Sequence, residues 1–111
     1  MDWNKLNDVQ QLDSIIEASA SHPILLFKHS TRCSISSTAL NRFERSWKED
    51  EVKNTVPYYL DLISHRNISQ EIASRFGVEH QSPQALLIKN GKCIYNASHF
   101  DIQYQEILKH I

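Results

Sequence analysis

Hydrophobic positions along this chain switch repeatedly between a helical period and short unbroken apolar runs. Leu12, Ile15, Ile16 and Ser19 recur at the 3.6-residue spacing, which predicts an amphipathic helix over about 8–20. Asn7 stands ahead of it as a candidate N-cap, and Gln10, three residues on, supplies the answering half of a capping box. Pro23 ends that segment. Ile24-Leu25-Leu26-Phe27-Lys28 then runs without polar alternation, as a strand buried on both faces does. The helical period returns from Ser34, with Ile35, Leu40, Phe43 and Trp47 on one face. Pro57 opens a strand over 58–62, at the end of a strand where proline is tolerated. Ile68, Ile72, Ala73 and Phe76 predict a third helix, closed by Gly77 as a left-handed C-cap. Segments 85–89 and 92–95 flank Asn90-Gly91, a strong signal for a two-residue hairpin. Ile102, Ile107, Leu108 and Ile111 predict a last amphipathic helix.

The predicted order is α-β-α-β-α-β-β-α, with a further short strand near 3–6. Strands joined through a helix run parallel, so 24–28 and 58–62 should be parallel neighbours, whereas the hairpin must be antiparallel. An α/β domain spanning 1–111 follows, with a mixed central sheet and helices on both faces. The size of 111 residues suffices for an ordinary core without disulfide staples.

Composition narrows the function. Hydrophobic residues make up 41% and charged ones 23%, and the net charge of −1 leaves no basic footprint for nucleic acid. Two glycines are too few for a phosphate-cradling loop. The longest apolar runs, 24–27 and 85–88, fall far short of the ~20 residues that span a bilayer. Asp2, Lys5, Asp8 and Asp13 occupy the place of a signal peptide's apolar segment, so a cytoplasmic location is expected. Under reducing conditions the two cysteines are reactive or simply buried, rather than a structural bridge.

Cys33 carries the candidate chemistry. It lies between the first buried strand and the helix beginning near Ser34, where open α/β sheets place their ligands. A thiol at a helix N-terminus meets unpaired N–H donors and the positive end of the helix dipole, both favouring thiolate. Lys28 and Arg32 add positive charge in the sequence nearby. The plainer alternative is an inert buried cysteine at a strand end. Six histidines raise the question of a metal, but no Cys-x-x-Cys or His-Glu-x-x-His spacing occurs, and no metal site is expected. His29, close to Cys33, either acts as a base or fills the strand end; the second is favoured.

Three features together resemble the thioredoxin superfamily: Cys33-Ser34-Ile35-Ser36 after a buried strand, Ser82-Pro83 before the hairpin strand, and Lys89-Asn90-Gly91-Lys92 at the turn. The resemblance implies a three-layer α/β/α fold in which Ser82-Pro83 is cis and Pro83 faces Cys33. An extended thiol substrate would then add like a strand beside Ser82. More narrowly, Lys28-His29-Ser30-Thr31 and Cys33, Ile35 and Ser36 resemble the monothiol bacilliredoxin family. Arg32 stands where that family has threonine, and Ser34 where it has the helix-starting proline. The resemblance implies a thiol–disulfide oxidoreductase whose Cys33 removes bacillithiol from protein mixed disulfides. Bacillithiol is the low-molecular-weight co-substrate, no cofactor is bound, and a second bacillithiol or another redoxin or reductase regenerates Cys33. Lys28, Arg32, Ser34, Ile35, Ser36, Ser82 and Pro83 are the implied substrate contacts. Charge pairing of Arg32 and Lys28 with bacillithiol's malate carboxylates would favour that thiol.

Ser36 occupies the place of a dithiol thioredoxin's resolving cysteine, and a hydroxyl cannot close a disulfide. Cys93 lies past the hairpin turn. Pro83 and Asn90 are seven residues apart, roughly 23 Å at ~3.3 Å per residue, against the ~7 Å between Cα atoms that a disulfide allows. Cys93 is therefore expected to be a packed strand residue. Two other readings stand beside the oxidoreductase: an iron–sulfur cluster carrier like the monothiol glutaredoxins, and a thioredoxin-like binding module without turnover. Against the first, the glycine and phenylalanine of the glutaredoxin motif and its later glycine-rich contacts are missing.

Overall fold

The computed structural model describes all 111 residues. Five strands and four α-helices follow one another as β1 (Asn4–Lys5), α1 (Gln11–Ala18), β2 (Ile24–His29), α2 (Ser34–Ser46), β3 (Val56–Asp61), α3 (Arg66–Phe76), β4 (Gln84–Lys89), β5 (Lys92–Ser98) and α4 (Tyr104–Leu108). The sheet order is β1-β3-β2-β4-β5. β1, β3 and β2 are parallel, and β4 runs antiparallel to both β2 and β5. This is the mixed sheet of a thioredoxin-like α/β fold.

The apolar run of β2 is explained by its central place, because each successive residue feeds a different core. Ile24 and Leu26 join Leu12, Ile15, Ile68 and Ile72 in the cluster under α1 and α3. Leu25 and Phe27 join Ala39, Phe43, Tyr104 and Ile107 in the cluster under α2 and α4. The same alternation sends Lys28 toward α3 and His29 toward α2, with consequences for the site.

Several boundaries differ from the sequence expectation, each for a local reason. α1 begins at Gln11 rather than near residue 8, and Asn7 is not its N-cap. The Gln11 side chain itself reaches back, its Oε1 accepting the N–H groups of Asn7 (2.8 Å) and Asp8 (2.9 Å). β3 starts at Val56, so Pro57 lies inside the strand. Val56 N–H bonds toward β2, onto Pro23, so the next residue's missing donor faces the β1 side. There β1 begins only opposite Tyr58, and nothing is lost. β5 continues to Ser98, pairing with β4 as far as Gln84 and keeping its alternation of exposed and more buried residues, with a register shift between Leu87 and Ile88. Ile94 falls in that irregularity and stays exposed. A short helix of 3-10 type at His99–Asp101 precedes α4, which keeps only five residues of the expected final helix. Asn90 and Gly91 both have positive φ (53° and 74°), as the two-residue turn requires, and Gly77 caps α3 at φ 64°.

Candidate active site

β2 and β3 are parallel, so the loops that leave their C-terminal ends emerge at the same edge of the sheet. From β2 the chain turns through Ser30 and places Cys33 as the N-cap of α2, in extended conformation. Cys33 N–H donates to the Ser30 carbonyl at 3.1 Å, and the Cys33 carbonyl accepts from Ser37 N–H at 3.0 Å. No acidic side chain sits in the first turn of α2 to compete for the helix terminus. The thiol is half-buried, and Arg32, Ser34 and Ile35 around it are exposed. Ile35 is thus on the outer face of α2, not on the core face that the period had suggested. Ile63, in the loop after β3, is also exposed at this edge.

Ser36 is fully buried and doubly engaged. Its Oγ accepts the Ser30 N–H at 3.0 Å and lies 2.6 Å from His29 Nδ1. With one proton and two lone pairs, the Ser36 hydroxyl serves both neighbours at once, accepting from the amide and sharing a hydrogen bond with the imidazole. Burial pushes the His29 pKa below its usual value, partly opposed by the charges of Asp61 and Glu44. His29 packs against Tyr59 with ring centroids 5.7 Å apart. The strand-end reading of His29 understated its part, since it holds the first turn of α2 to β2.

On the other side of β2, the β2–β4 ladder ends at the pair Lys28–Gln84, so Ser82 and Pro83 lie just beyond it, at the edge where Cys33 emerges. The Ser82-Pro83 bond is cis. The Pro83 carbonyl accepts His99 N–H at 2.9 Å, and Ser82 Oγ is buried without a partner.

Lys28 departs from expectation. It does not lend charge to Cys33 but is fully buried on the α3 face, donating to the Ser69 carbonyl at 3.3 Å and lying 3.4 Å from His80 Nδ1. Desolvation lowers its pKa to about 8. The signal was present in the sequence, since Lys28 shares strand parity with Ile24 and Leu26 rather than with the residues facing α2. Ser69, His80 and Gln84, which surround it, could not be found by local pattern because their partners lie 41 to 52 residues away in sequence or on the neighbouring strand.

Cys93 pairs with Ile88 in the β4–β5 ladder, and Ile88 pairs with Ile24 at the start of β2. It therefore sits at the opposite end of the sheet from Cys33, separated by about the length of β2, roughly 17 Å. Its thiol donates to the Tyr95 carbonyl at 3.3 Å, and burial raises its pKa. No group of three or more His, Cys, Asp or Glu side chains is gathered to hold a metal, and no helix is long and apolar enough to cross a membrane.

A thioredoxin fold with a lone thiol at the head of α2 and a hydroxyl one turn later defines a single-cysteine redoxin. The comparisons agree. A family profile described as monothiol bacilliredoxin BrxC matches residues 4–107. A solved structure described as a candidate oxidoreductase with a thioredoxin fold is 31% identical, with a TM-score of 0.81 over 95% of this chain and 89% of its own. More distant likenesses, which bear on the fold alone, include Malassezia sympodialis thioredoxin (14% identity, TM-score 0.75, 98% and 87% covered). Spinach chloroplast thioredoxin f in its short form is another (15%, 0.72, 97% and 88%). The chain belongs to the monothiol bacilliredoxin family, and its fold is that of thiol oxidoreductases.

Proposed function

We propose that this oxidoreductase removes bacillithiol from protein mixed disulfides in the cytoplasm. The Cys33 thiolate attacks the bacillithiol sulfur of the mixed disulfide. The old sulfur–sulfur bond breaks, the protein leaves as a thiolate that takes up a proton, and a Cys33–bacillithiol disulfide forms. A second bacillithiol thiolate then attacks that adduct, releasing oxidised bacillithiol and the Cys33 thiolate; another redoxin or a reductase could supply the same two electrons. The observation that carries this reading is the fate of Ser36. The place of a second sulfur holds a hydroxyl already bonded to His29 and Ser30, so an adduct on Cys33 has no internal thiol to expel it. Exposed Arg32 beside the thiol offers a cation to the malate carboxylates.

Intact mass after exposure to oxidised bacillithiol, with oxidised glutathione in parallel, tests the proposal. One adduct on Cys33, preferred for bacillithiol and with no internal bridge, is expected. Cys33→Ser should abolish thiol removal from a bacillithiolated protein and Cys93→Ser should leave it nearly intact. An active Cys33→Ser variant, or a 33–93 disulfide, would refute the proposal. An absorbance band of an iron–sulfur cluster after anaerobic purification would favour the carrier reading instead.

A further inference from the structure

A buried polar cluster lies beneath the segment that leads into β4, and the exchange reaction does not use it. Ile24 and Leu26 precede Lys28 on the same face of β2, and an apolar residue would fill the third position at lower cost. Instead the lysine is fully buried and makes no ion pair. Its bonding partners are the Ser69 carbonyl on α3 and His80 Nδ1 in the segment ahead of Pro83. Ser69 Oγ lies 2.9 Å from the same Nδ1. Gln84, directly opposite Lys28 in the β2–β4 ladder, donates its Nε2 to the Glu79 carbonyl at 3.0 Å, while its Oε1 is buried with no partner. Side chains from β2, α3 and β4 thus converge on segment 79–83.

We propose that Lys28, Ser69 and His80 form a latch that positions segment 79–83 for docking of a polypeptide substrate, and that protonation of His80 opens it. Lys28 is then a positioning residue for the reaction proposed above, on which the docking half of this inference rests. The chemistry of the latch is set by one atom. Nδ1 can accept from the Ser69 hydroxyl and from the Lys28 ammonium only while it carries no proton. A proton there would turn the Lys28 contact into donor facing donor, with two cations 3.4 Å apart, while the Ser69 hydroxyl would have to turn and accept instead. The charged groups that bear on His80 are Lys28 from β2 and Arg66 from α3. Both cations act with burial, the largest cause, to hold the ring neutral to lower pH than usual. The latch is therefore closed at neutral pH and opens in acid.

Amide hydrogen exchange by NMR at His99, whose N–H is held by the Pro83 carbonyl at the end of segment 79–83, tests the latch without any substrate. It is measured from about pH 7.5 to about pH 5, with the His80 ring resonances followed alongside. In the wild type, protection should fall about fivefold, the weight of one net hydrogen bond, as His80 titrates. His80→Gln, whose amide oxygen can accept from Ser69 and Lys28, should keep the neutral protection and lose the pH dependence. Lys28→Met should be unprotected throughout. With a single-cysteine test protein carrying bacillithiol, Lys28→Met should raise KM about fivefold. Its alkylation by iodoacetamide at Cys33 should stay within about twofold of wild type at the same pH, since that reagent needs no docking edge. Protection flat with pH in the wild type, or pH dependence persisting in His80→Gln, would overturn the latch. Exchange that responds while KM does not would overturn its positioning role. Should no bacillithiolated protein be a substrate, the exchange data still decide the latch, and the failure lies with the proposed reaction.

Discussion

Replacing Lys28 with Met should make the protein more stable, although it removes two hydrogen bonds. The reason is the cost of keeping an ammonium group fully buried without a carboxylate. Burial lowers the Lys28 pKa from 10.5 to about 8. At about 1.36 kcal/mol per unit, two and a half units put roughly 3 kcal/mol of penalty on the charged form in the fold. Met matches the length of the stem and carries no charge. Losing the two long contacts to Ser69 and His80 returns about 1 kcal/mol, so a net gain of about 2 kcal/mol is expected at pH 7. The pH dependence has a definite sign. Between the folded value near 8 and the unfolded value of 10.5, the unfolded chain binds the proton that the folded chain has lost, so the lysine protein gains stability as pH rises. The advantage of Lys28→Met should therefore be full below about pH 8 and disappear by about pH 10.5. Urea denaturation followed by the fluorescence of Trp3 and Trp47, on both proteins across that range, measures the gap directly. Titration of Cys93, Tyr59 and Tyr104 is common to both proteins and cancels. A gap that is constant with pH, or a variant less stable at pH 7, would show that Lys28 is not a desolvated cation.

The other outcomes follow from single contacts. Ser36→Cys should give an internal disulfide with Cys33 on mild oxidation, read as the loss of two hydrogens in intact mass, where the wild type holds an adduct; an adduct persisting on the variant would show that the helix head is too rigid to close. Gly91→Ala should cost about 1–2 kcal/mol in the same urea assay, because φ is 74° and the new Cβ would meet Ile16 Cγ2 at 3.4 Å; an unchanged midpoint would contradict the turn geometry. Arg32→Glu should slow reaction with bacillithiolated protein more than with an uncharged disulfide, and the difference should shrink in high salt; equal slowing of both would remove Arg32 from recognition.

Much of the fold was legible because its signals are local. A strand buried on both faces, a helix with one apolar stripe, a glycine at positive φ after α3 and an Asn-Gly turn each depend on a few neighbouring residues. The departures arose where contacts distant in sequence or a side chain reset a boundary. Gln11 reaching back moved the start of α1, and pairing with β4 down to Gln84 carried β5 three residues past its expected end. The site divided in the same way. Cys33 at a strand-to-helix junction follows from the order of elements. The bonds of Ser36 to His29, and of Lys28 to Ser69 and His80, depend on which face of β2 each residue takes and on what the rest of the chain brings there.

That division of faces explains why two adjacent residues of one strand serve different halves of the cleft. The thiol rides on α2, above one side of the sheet, whereas Lys28 ties segment 79–83 to α3 on the other. No hydrogen bond in the structure links α2 directly to segment 79–83, so their mutual position must be set through β2. His29 reaches Ser36 and fixes the head of α2; Lys28 reaches Ser69 and His80 and fixes the docking edge. Both depend on a strand whose remaining residues, Ile24 to Phe27, are buried in the two cores and cannot shift without disturbing both. A lysine that costs the fold stability is then intelligible, because an apolar residue at that position would fill the space and leave the docking edge untied.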